Sequence, residues 1–438
     1  MTALRIGSGA GYSGDRIDPA QDLAERGNLH ALVFECLAER TIALAQLRRS
    51  QDPRLGFDPL LAERMRAVLP ACVKQGVTII TNMGAAHPQA AGEAVLQVAR
   101  ELGLQRLRVA VVTGDDVLPW MREHDVPLLE SDQTVRSLDG RLISANAYLG
   151  AEALLPALRS GADVVITGRV ADPALFLAPL MHHFGWQADD WHRLGQGIVV
   201  GHLLECAAQV SGGYIADPGQ LDVPRLAEVQ ADGRAVITKL EGTGGRVDRL
   251  TCTAQLLYEL ENPACYLQPD VVADFSGVRL EEIGPDRVAV EGASGQARPA
   301  QLKVTLGYRD GFIGEGQISY AGPGARARGE LALDILKHRL RQRGLGALEQ
   351  RGELIGVNAM HGASLGTQYE PYEVRVRLAV RTATRAQAEL IGQEVEALYL
   401  NGPAAGGGVT QSVREVIAAG SALIPREAVP TDCRILEL

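Results

Sequence analysis

Short apolar runs, each followed by a polar or glycine-rich loop and then by a helix-like stretch, mark the first half of the chain. Three of these runs cover residues 76–81, 107–112 and 162–166 and are rich in valine and isoleucine. Short apolar β-branched runs are typical of strands that are buried on both faces of a sheet. Since residues 4–6 begin the same pattern, it occurs four times and predicts an α/β fold: a mostly parallel, Rossmann-like sheet flanked by helices.

Other local patterns predict a helix and two hairpins between these strands. Apolar residues at helical spacing predict one long helix from about residue 28 to residue 49. Residues 135–146 predict a hairpin with its turn at Asp139–Gly140, because this dipeptide suits a two-residue hairpin loop. Residues 226–240 predict a second hairpin with an Asp-Gly turn of the same kind.

The pattern changes after the Asn262–Pro263 dipeptide, where closely spaced alternating strands replace the strand–helix order. Two long helices, over residues 328–343 and 385–400, interrupt these strands. This order predicts a smaller α+β domain with antiparallel strands. We therefore expect two domains, an α/β domain over residues 1–262 and an α+β domain over residues 263–438.

The predicted topology indicates where a ligand would bind. In open parallel sheets, ligands bind beyond the carboxyl ends of the strands. Four loops follow the predicted strands of the first domain, and we expect them to meet at one edge of the sheet. They cover residues 7–16, 81–88, 113–116 and 167–172.

Glycine-rich loops are the first candidates for ligand binding. Four glycines between residues 7 and 14 expose a bare backbone, which can direct several amide N–H groups at an anion, and residues 242–245 form a second loop of this kind. Alternatively, each loop is a tight connection without a ligand, and the first matches the dinucleotide-binding pattern only imperfectly. The predicted ligand-binding residues are Gly9, Gly11, Ser13, Gly14, Arg16, Asn82, Gly168, Arg169, Gly244, Gly245 and Arg246.

Five residues are candidates for proton transfer in catalysis. His202 and Glu205 are three residues apart on an apolar helix and therefore share a face, although a hydrogen-bonded core pair explains them equally well. Histidine and carboxyl groups are the usual general acids and bases. The other candidates have structural alternatives, helix capping for Asp172 and a plain loop position for His87. The predicted catalytic residues are His87, His202, Glu205, Asp15 and Asp172.

Composition and charge narrow the classes of partner. The 438-residue chain carries a net charge of −10, which argues against nucleic acid or an anionic membrane as a partner. The six cysteines are scattered without zinc-ligand spacing and suggest reduced thiols in a cytoplasmic protein. We identify no metal site, since Asp115 and Asp116 suit helix capping better than a cation site with Asp15. No apolar run approaches the ~18 residues that a membrane span requires.

Five motifs are distributed over the first 250 residues. They are GSGAGYSGDR (7–16), TGRVADP (167–173), GHLLEC (201–206), SGGY (211–214) and LEGTGG (240–245). With this set of motifs the chain resembles the family of the acyclic terpene utilisation protein AtuA, whose members are associated with the catabolism of acyclic terpenoids and branched acids. The resemblance implies a pathway that runs on coenzyme A thioesters, and it implies no catalytic residues.

Three hypotheses for function follow. The first is a catabolic lyase or hydro-lyase that acts on an acyl-CoA or a related anionic branched acyl substrate, by hydration, dehydration or C–C cleavage. Coenzyme A then enters as part of the substrate, and no separate cofactor is identified. The second is a nucleotide-dependent oxidoreductase or ligase, and the third is a non-catalytic accessory subunit of a catabolic complex. In each case we expect a homo-oligomer.

Overall fold

The computed structural model describes residues 3–138, 140–213, 224–362 and 370–438. Asp139, in the predicted turn, and Tyr214, in the fourth motif, lie outside the described residues. The chain divides into two compact units, unit 1 with residues 1–307 and 419–438, and unit 2 with residues 308–418. As a statement about domains, the division at Asn262–Pro263 stays a prediction.

The strands alternate with helices in the first half of the chain and follow one another closely after it. The strands are β1 (Leu4–Ala10), β2 (Ala31–Phe34), β3 (Thr78–Thr81), β4 (Arg108–Thr113), β5 (Leu142–Ala147), β6 (Val164–Thr167), β7 (Arg225–Val229), β8 (Ala235–Lys239), β9 (Tyr266–Leu267), β10 (Val272–Asp274), β11 (Arg279–Gly284), β12 (Arg287–Glu291), β13 (Ser294–Gln296), β14 (Gln301–Ala321), β15 (Gln350–Ile355), β16 (Glu373–Thr382), β17 (Gly407–Pro425) and β18 (Asp432–Glu437).

The helices range from four to 18 residues. The α-helices are α1 (Asp18–Arg26), α2 (Glu39–Gln51), α3 (Leu61–Gln75), α4 (Pro88–Glu101), α5 (Leu118–Glu123), α6 (Leu155–Arg159), α7 (Ala174–Phe184), α8 (Trp191–Glu205), α9 (Arg249–Leu256), α10 (Ala325–Gln342), α11 (Arg385–Glu396) and α12 (Leu398–Asn401). Short 3₁₀ helices cover Val135–Leu138, Ala151–Leu154, Ala207–Ser211 and Arg426–Ala428.

Unit 1 is built on a ten-stranded sheet in the order β11-β12-β8-β7-β1-β2-β3-β6-β4-β18. The five strands β1, β2, β3, β6 and β4 are parallel, and antiparallel strands extend the sheet on both sides. The expected mixed α/β fold is therefore confirmed, with a parallel core flanked by helices. A small antiparallel sheet, β13-β10-β9, also belongs to unit 1.

Both faces of the parallel core are covered by helices, which explains the continuous apolar runs in the sequence. Alternate residues of the strands, such as Ile79 and Ile166, join α1, α3 and α4 in one apolar core. Successive side chains of a strand point to opposite faces, so Ile80 and Val165 lie on the other face. Helices α7 and α8 pack against β1 and against its neighbours in the sheet.

Unit 2 contains a second sheet, in which β15 and β14 flank β16 in antiparallel pairing and β17 lies beside β14. Helices α10 and α11 pack against β16. The antiparallel strands and the two long helices that the sequence predicted for this part of the chain are thus present.

Two local predictions are wrong. The predicted long helix over residues 28–49 is a strand, β2, followed by α2, because residues 31–34 complete the sheet between β1 and β3. The predicted hairpin over residues 135–146 is a 3₁₀ helix, Val135–Leu138, followed by β5. The hairpin predicted over residues 226–240 is confirmed as the antiparallel pair β7–β8.

Truncating a core side chain of the parallel strands should weaken the fold of unit 1. Ile166 is completely buried on β6, and Ile166→Ala should lower the free energy of unfolding by about 2–5 kcal/mol because it leaves a cavity. Ile283→Ala, at a residue that is 50% exposed on β11, should change it by less than about 0.5 kcal/mol. Urea denaturation followed by circular dichroism checks both values, and equal losses would contradict the placement of β6 in the core.

Candidate functional site

A buried arginine lies directly after the carboxyl end of β6. The Arg169 guanidinium donates hydrogen bonds from Nη1 to the backbone oxygens of Leu37 (2.5 Å) and Val170 (3.0 Å) and to Asp172 Oδ1 (2.6 Å). Burial disfavours the charged form, but the Asp172 carboxylate and nearby acidic groups hold the pKa of Arg169 well above its usual value. The side chain therefore stays a cation inside the protein.

Asp115 fixes the backbone of this arginine. Its Oδ2 accepts hydrogen bonds from the Arg169 backbone N–H and from Asn146 Nδ2, both at 2.8 Å. Burial raises the pKa of Asp115 to about 6. A Cβ atom on Gly168 would lie 2.4 Å from Asp115 Oδ1, so glycine is required for this contact. Asp115 thus anchors the Arg169 loop, and Gly168 lets the carboxylate approach.

Glu35, directly after β2, is a second buried carboxyl group. Its Oε1 accepts hydrogen bonds from Asn82 Nδ2 (2.9 Å) and from the Leu37 backbone N–H (2.8 Å). Burial, with a further contribution from the negative charge of Asp172, raises the pKa of Glu35 to about 8. Glu35 is therefore protonated at neutral pH. The sequence analysis predicted Asn82 but missed Glu35.

Glu205 and His202 form the hydrogen-bonded pair that their spacing on α8 suggested. His202 Nδ1 lies 2.9 Å from Glu205 Oε1, and His202 Nε2 lies 3.2 Å from the backbone oxygen of Leu256. Since Nε2 must donate to that oxygen, a second proton lies between Nδ1 and the carboxylate. Burial, together with the charge of Asp172, raises the pKa of Glu205 to about 7 against the opposing effect of His202. The geometry therefore places one shared proton on the hydrogen bond between His202 and Glu205.

Asp172 interacts electrostatically with Glu35, Arg169 and Glu205. Its negative charge contributes to the raised pKa of both Glu35 and Glu205, and burial raises its own pKa despite the contact with Arg169. The Asp172 side chain is 34% exposed, whereas the Arg169 side chain is 1% exposed. Asp172 is therefore the residue of this ion pair that contacts solvent. We call Glu35, Arg169, Asp172 and Glu205 the carboxylate site.

Tyr148 and two charged residues extend the carboxylate site towards solvent. The centre of the Arg169 guanidinium lies 4.1 Å from the centroid of the Tyr148 ring, and Lys303 Nζ lies 5.0 Å from it. The Tyr148 hydroxyl donates to the Glu39 carboxylate, and Lys303 Nζ lies 3.3 Å from Glu39 Oε1. Burial opposes ionisation of Glu39, but Arg169, Tyr148 and Lys303 together lower its pKa to about 2. Sequence reasoning missed these residues, because no motif connects them.

Comparison with known protein families shows the family to which the chain belongs. Residues 4–435 match the family described as acyclic terpene utilisation family protein AtuA. The chain belongs to the AtuA family. The match spans nearly the whole chain and confirms the resemblance that the motifs indicated, so its family is one of acyclic terpene utilisation. No curated protein and no solved structure matches the chain.

In this AtuA-family chain, the first glycine-rich loop binds a carboxylate of its own. Asp15 accepts hydrogen bonds from the backbone N–H groups of Gly11 (3.0 Å) and Arg16 (2.8 Å), and its Oδ2 lies 3.8 Å from Arg225. The buried Arg64 donates to carbonyl oxygens of the loop. The Asp15 side chain thus occupies these two amides, and binding of an outside anion by the loop stays a prediction.

Close packing accounts for the glycines of this loop. A Cβ atom on Gly9 would lie 2.6 Å from the Phe34 ring, and one on Gly11 would lie 2.6 Å from the backbone of Cys206, next to Glu205. A Cβ atom on Gly14 would meet the ring of the loop's own tyrosine at 2.7 Å. The loop therefore packs against the end of α8 that carries Glu205, beside the carboxylate site.

The remaining predicted ligand-binding residues make local contacts. Ser13 Oγ donates to Asp58 at 2.7 Å. The side chain of Arg16 is half-exposed and pairs with Asp18. In the second glycine-rich loop, after Gly244 and Gly245, Arg246 pairs with Asp248 at 2.9 Å. Their role in binding a ligand stays a prediction.

Two predicted polar residues lie at helix starts. His87 Nδ1 accepts a hydrogen bond from the Ala90 backbone N–H (3.3 Å) and caps α4, and burial lowers the pKa of this histidine. Asp116 Oδ1 accepts from the Leu118 backbone N–H at the start of α5 (3.2 Å). These contacts agree with the capping alternative for Asp116 and give His87 a structural role.

Two general properties of the described residues bear on the site. Among residues 3–138, 140–213, 224–362 and 370–438, no group of three or more His, Cys, Asp or Glu side chains is arranged to hold a metal ion. Every helix in these ranges is too short or too polar to span a bilayer.

The raised pKa of Glu35 predicts a pH-dependent stability. Between about pH 5 and pH 8 the folded chain keeps a proton that an unfolded glutamate releases, so the free energy of unfolding should fall as pH rises through this window. Glu35→Gln removes this titration and should reduce the slope by up to about 1.4 kcal/mol per pH unit. Urea denaturation at a series of pH values measures the slope.

The control for this prediction is Glu281→Gln, since Glu281 is exposed on β11. This variant should keep the slope of the unmodified chain. Equal slopes for Glu35→Gln and the unmodified chain would contradict a buried, protonated Glu35.

The close approach of Asp115 to Gly168 predicts that a single methyl group is harmful there. Gly168→Ala should lower the free energy of unfolding by about 1–3 kcal/mol, because the new Cβ atom would displace the Asp115 carboxylate. Gly284→Ala, where the nearest atom would be 4.0 Å away, should cost clearly less. Thermal unfolding compares the two variants, and a harmless Gly168→Ala would argue against the Asp115–Arg169 contact.

Proposed function

We propose that this AtuA-family chain is a catabolic enzyme that transfers protons to and from an acyl-CoA or a related anionic branched acyl substrate. The reaction would be a hydration, a dehydration or a C–C cleavage, as in a lyase or hydro-lyase. One observation carries the proposal: burial and the negative charge of Asp172 raise the pKa of Glu35 to about 8 and the pKa of Glu205 to about 7. Groups that titrate near neutral pH are the ones that exchange protons efficiently with a substrate.

The neighbouring contacts favour different roles for the three carboxyl groups. Glu35 is protonated at neutral pH and suits the general acid, which can donate a hydrogen bond to a thioester or carboxyl oxygen. Asp172 is the more exposed group and pairs with Arg169, so it suits the general base. Glu205 shares a proton with His202 and can restore the proton that Glu35 gives up.

Hydration of a double bond shows how the general base and the general acid would each transfer one proton. The base removes a proton from water as the water oxygen bonds to the β-carbon of an unsaturated acyl group. The π-electron pair of the double bond moves to the α-carbon, which takes a proton from the acid. Dehydration is the reverse, so the same two carboxyl groups serve both directions.

The proposal extends beyond the carboxylate site. It includes coenzyme A as part of the substrate, with its phosphates bound by the predicted arginines Arg16 and Arg246. It also includes the classification of the parallel sheet as Rossmann-like. It also includes a homo-oligomer and a cytoplasmic location. The support for these parts is the family and the composition of the chain.

A turnover assay with site variants tests the proposal. The full chain is incubated with α,β-unsaturated and β-hydroxy branched acyl-CoA thioesters in D₂O, and mass spectrometry follows gain or loss of water, deuterium at the α-carbon and chain cleavage. Glu35→Gln and Asp172→Asn should each lower the rate by about 10²–10⁴-fold, because each removes a proton-transfer group. The exposed control Glu281→Gln should keep the rate of the unmodified chain.

Two outcomes would overturn the proposal. One is no turnover and no thermal stabilisation of the unmodified chain across the whole panel, which would favour the accessory-subunit hypothesis. The other is turnover that neither Glu35→Gln nor Asp172→Asn reduces, which would move the chemistry away from the carboxylate site.

A further inference from the structure

A small apolar pocket lies beside α2, with a volume of about 200 Å³. Leu44, Ala45 and Arg48 line one side of it, because Leu44 and Ala45 precede Arg48 by four and three residues and therefore lie on the same helix face as Arg48. Phe57 and Met83 contribute to the other side. We call this cavity the α2 pocket.

The α2 pocket adjoins the carboxylate site through one residue. The side chain of Leu37 lines the pocket, whereas its backbone oxygen accepts the hydrogen bond from Arg169 at 2.5 Å. Cys36, which also lines the pocket, directly follows Glu35. The pocket and the carboxylate site therefore share the segment that leads from β2 to α2, at the carboxyl end of the parallel strands.

The pocket has one cationic side chain. Arg48 is exposed, and in the part of the chain that the structure describes its guanidinium has no hydrogen-bond or ion-pair partner. The acidic residue of the pocket, Asp58, is already engaged, because its Oδ1 lies 3.4 Å from the buried Arg64 and its Oδ2 accepts from Ser13. An apolar cavity with an unengaged guanidinium at its edge suits a molecule with a hydrocarbon chain and one negative charge.

The volume limits the size of that chain. An apolar cavity of about 150 Å³ takes up benzene, which has six carbon atoms. By proportion, the α2 pocket holds roughly eight carbon atoms. Longer chains would have to leave the pocket or force its walls apart.

We propose that the α2 pocket binds an aliphatic carboxylate of up to about eight carbons, with the chain in the pocket and the carboxylate on Arg48. The assignment narrows the substrate class of the function proposed above, on which its link to catalysis rests. The charge on Arg48 would compensate an anion within a chain of net charge −10. The neighbouring carboxylate site would then act on the same molecule or on its activated form.

Isothermal titration calorimetry with the full chain tests this assignment. The probes are hexanoate, its branched isomer, octanoate, dodecanoate and hexanamide. We expect saturable binding of the first three acids and weaker binding of dodecanoate, because its chain exceeds the pocket. Hexanamide should bind at least tenfold more weakly than hexanoate, since it lacks the charge that Arg48 would bind.

Three variants locate the binding site. Arg48→Gln should weaken hexanoate binding about tenfold or more and abolish the preference over hexanamide, and its exposed position should leave the fold intact. Ala45→Phe should remove binding because the ring fills the pocket. Arg40→Gln, at another exposed arginine of the same helix, should bind like the unmodified chain.

The outcomes separate this assignment from the proposed function. Glu35→Gln should still bind hexanoate, so binding without any turnover would overturn the proposed chemistry and leave the pocket standing. Conversely, turnover of acyl thioesters without carboxylate binding would overturn the pocket assignment alone. Equal hexanoate affinities of Arg48→Gln and the unmodified chain would also overturn it.

Discussion

The burial of one positive charge is the constraint on which the site depends. Arg169 is enclosed at the carboxyl end of β6, and a buried guanidinium is stable only when acceptors surround it. Asp172 supplies the compensating charge, the Leu37 carbonyl positions the segment between β2 and α2, and the Tyr148 ring covers the guanidinium face. Removing this cation would leave these groups without their common partner.

The same constraint accounts for the raised pKa values of the surrounding carboxyl groups. The Arg169 guanidinium makes its ion pair with Asp172, and neither Glu35 nor Glu205 has a direct ion pair with it among the described residues. Glu35 and Glu205 are buried near the same negative charge, so each holds its proton to a higher pH than an exposed glutamate would. A site with a single cation and several carboxyl groups therefore contains proton donors at neutral pH, which is what acid–base chemistry needs.

The glycine-rich loop illustrates how one physical property serves two purposes. A residue without a side chain lets an anion approach its backbone, and it also lets two parts of the chain pack closely. In this structure Gly11 brings the first loop against the end of α8, and the loop's own Asp15 binds its amides. The loop thereby helps to position Glu205, a role that the glycine pattern alone could not distinguish from ligand binding.

The sequence by itself determined the strand–helix alternation of the parallel core apart from β2, the hairpin of β7 and β8, the motifs of the family, and the local pair His202–Glu205, because each leaves a pattern in residues close together along the chain. Only the tertiary structure decided that residues 31–34 form a strand, since this depends on their place between β1 and β3. It also decided the raised pKa of Glu35, which arises from burial and from the charge of Asp172, more than a hundred residues away along the chain. Such long-range effects leave no pattern in the local sequence.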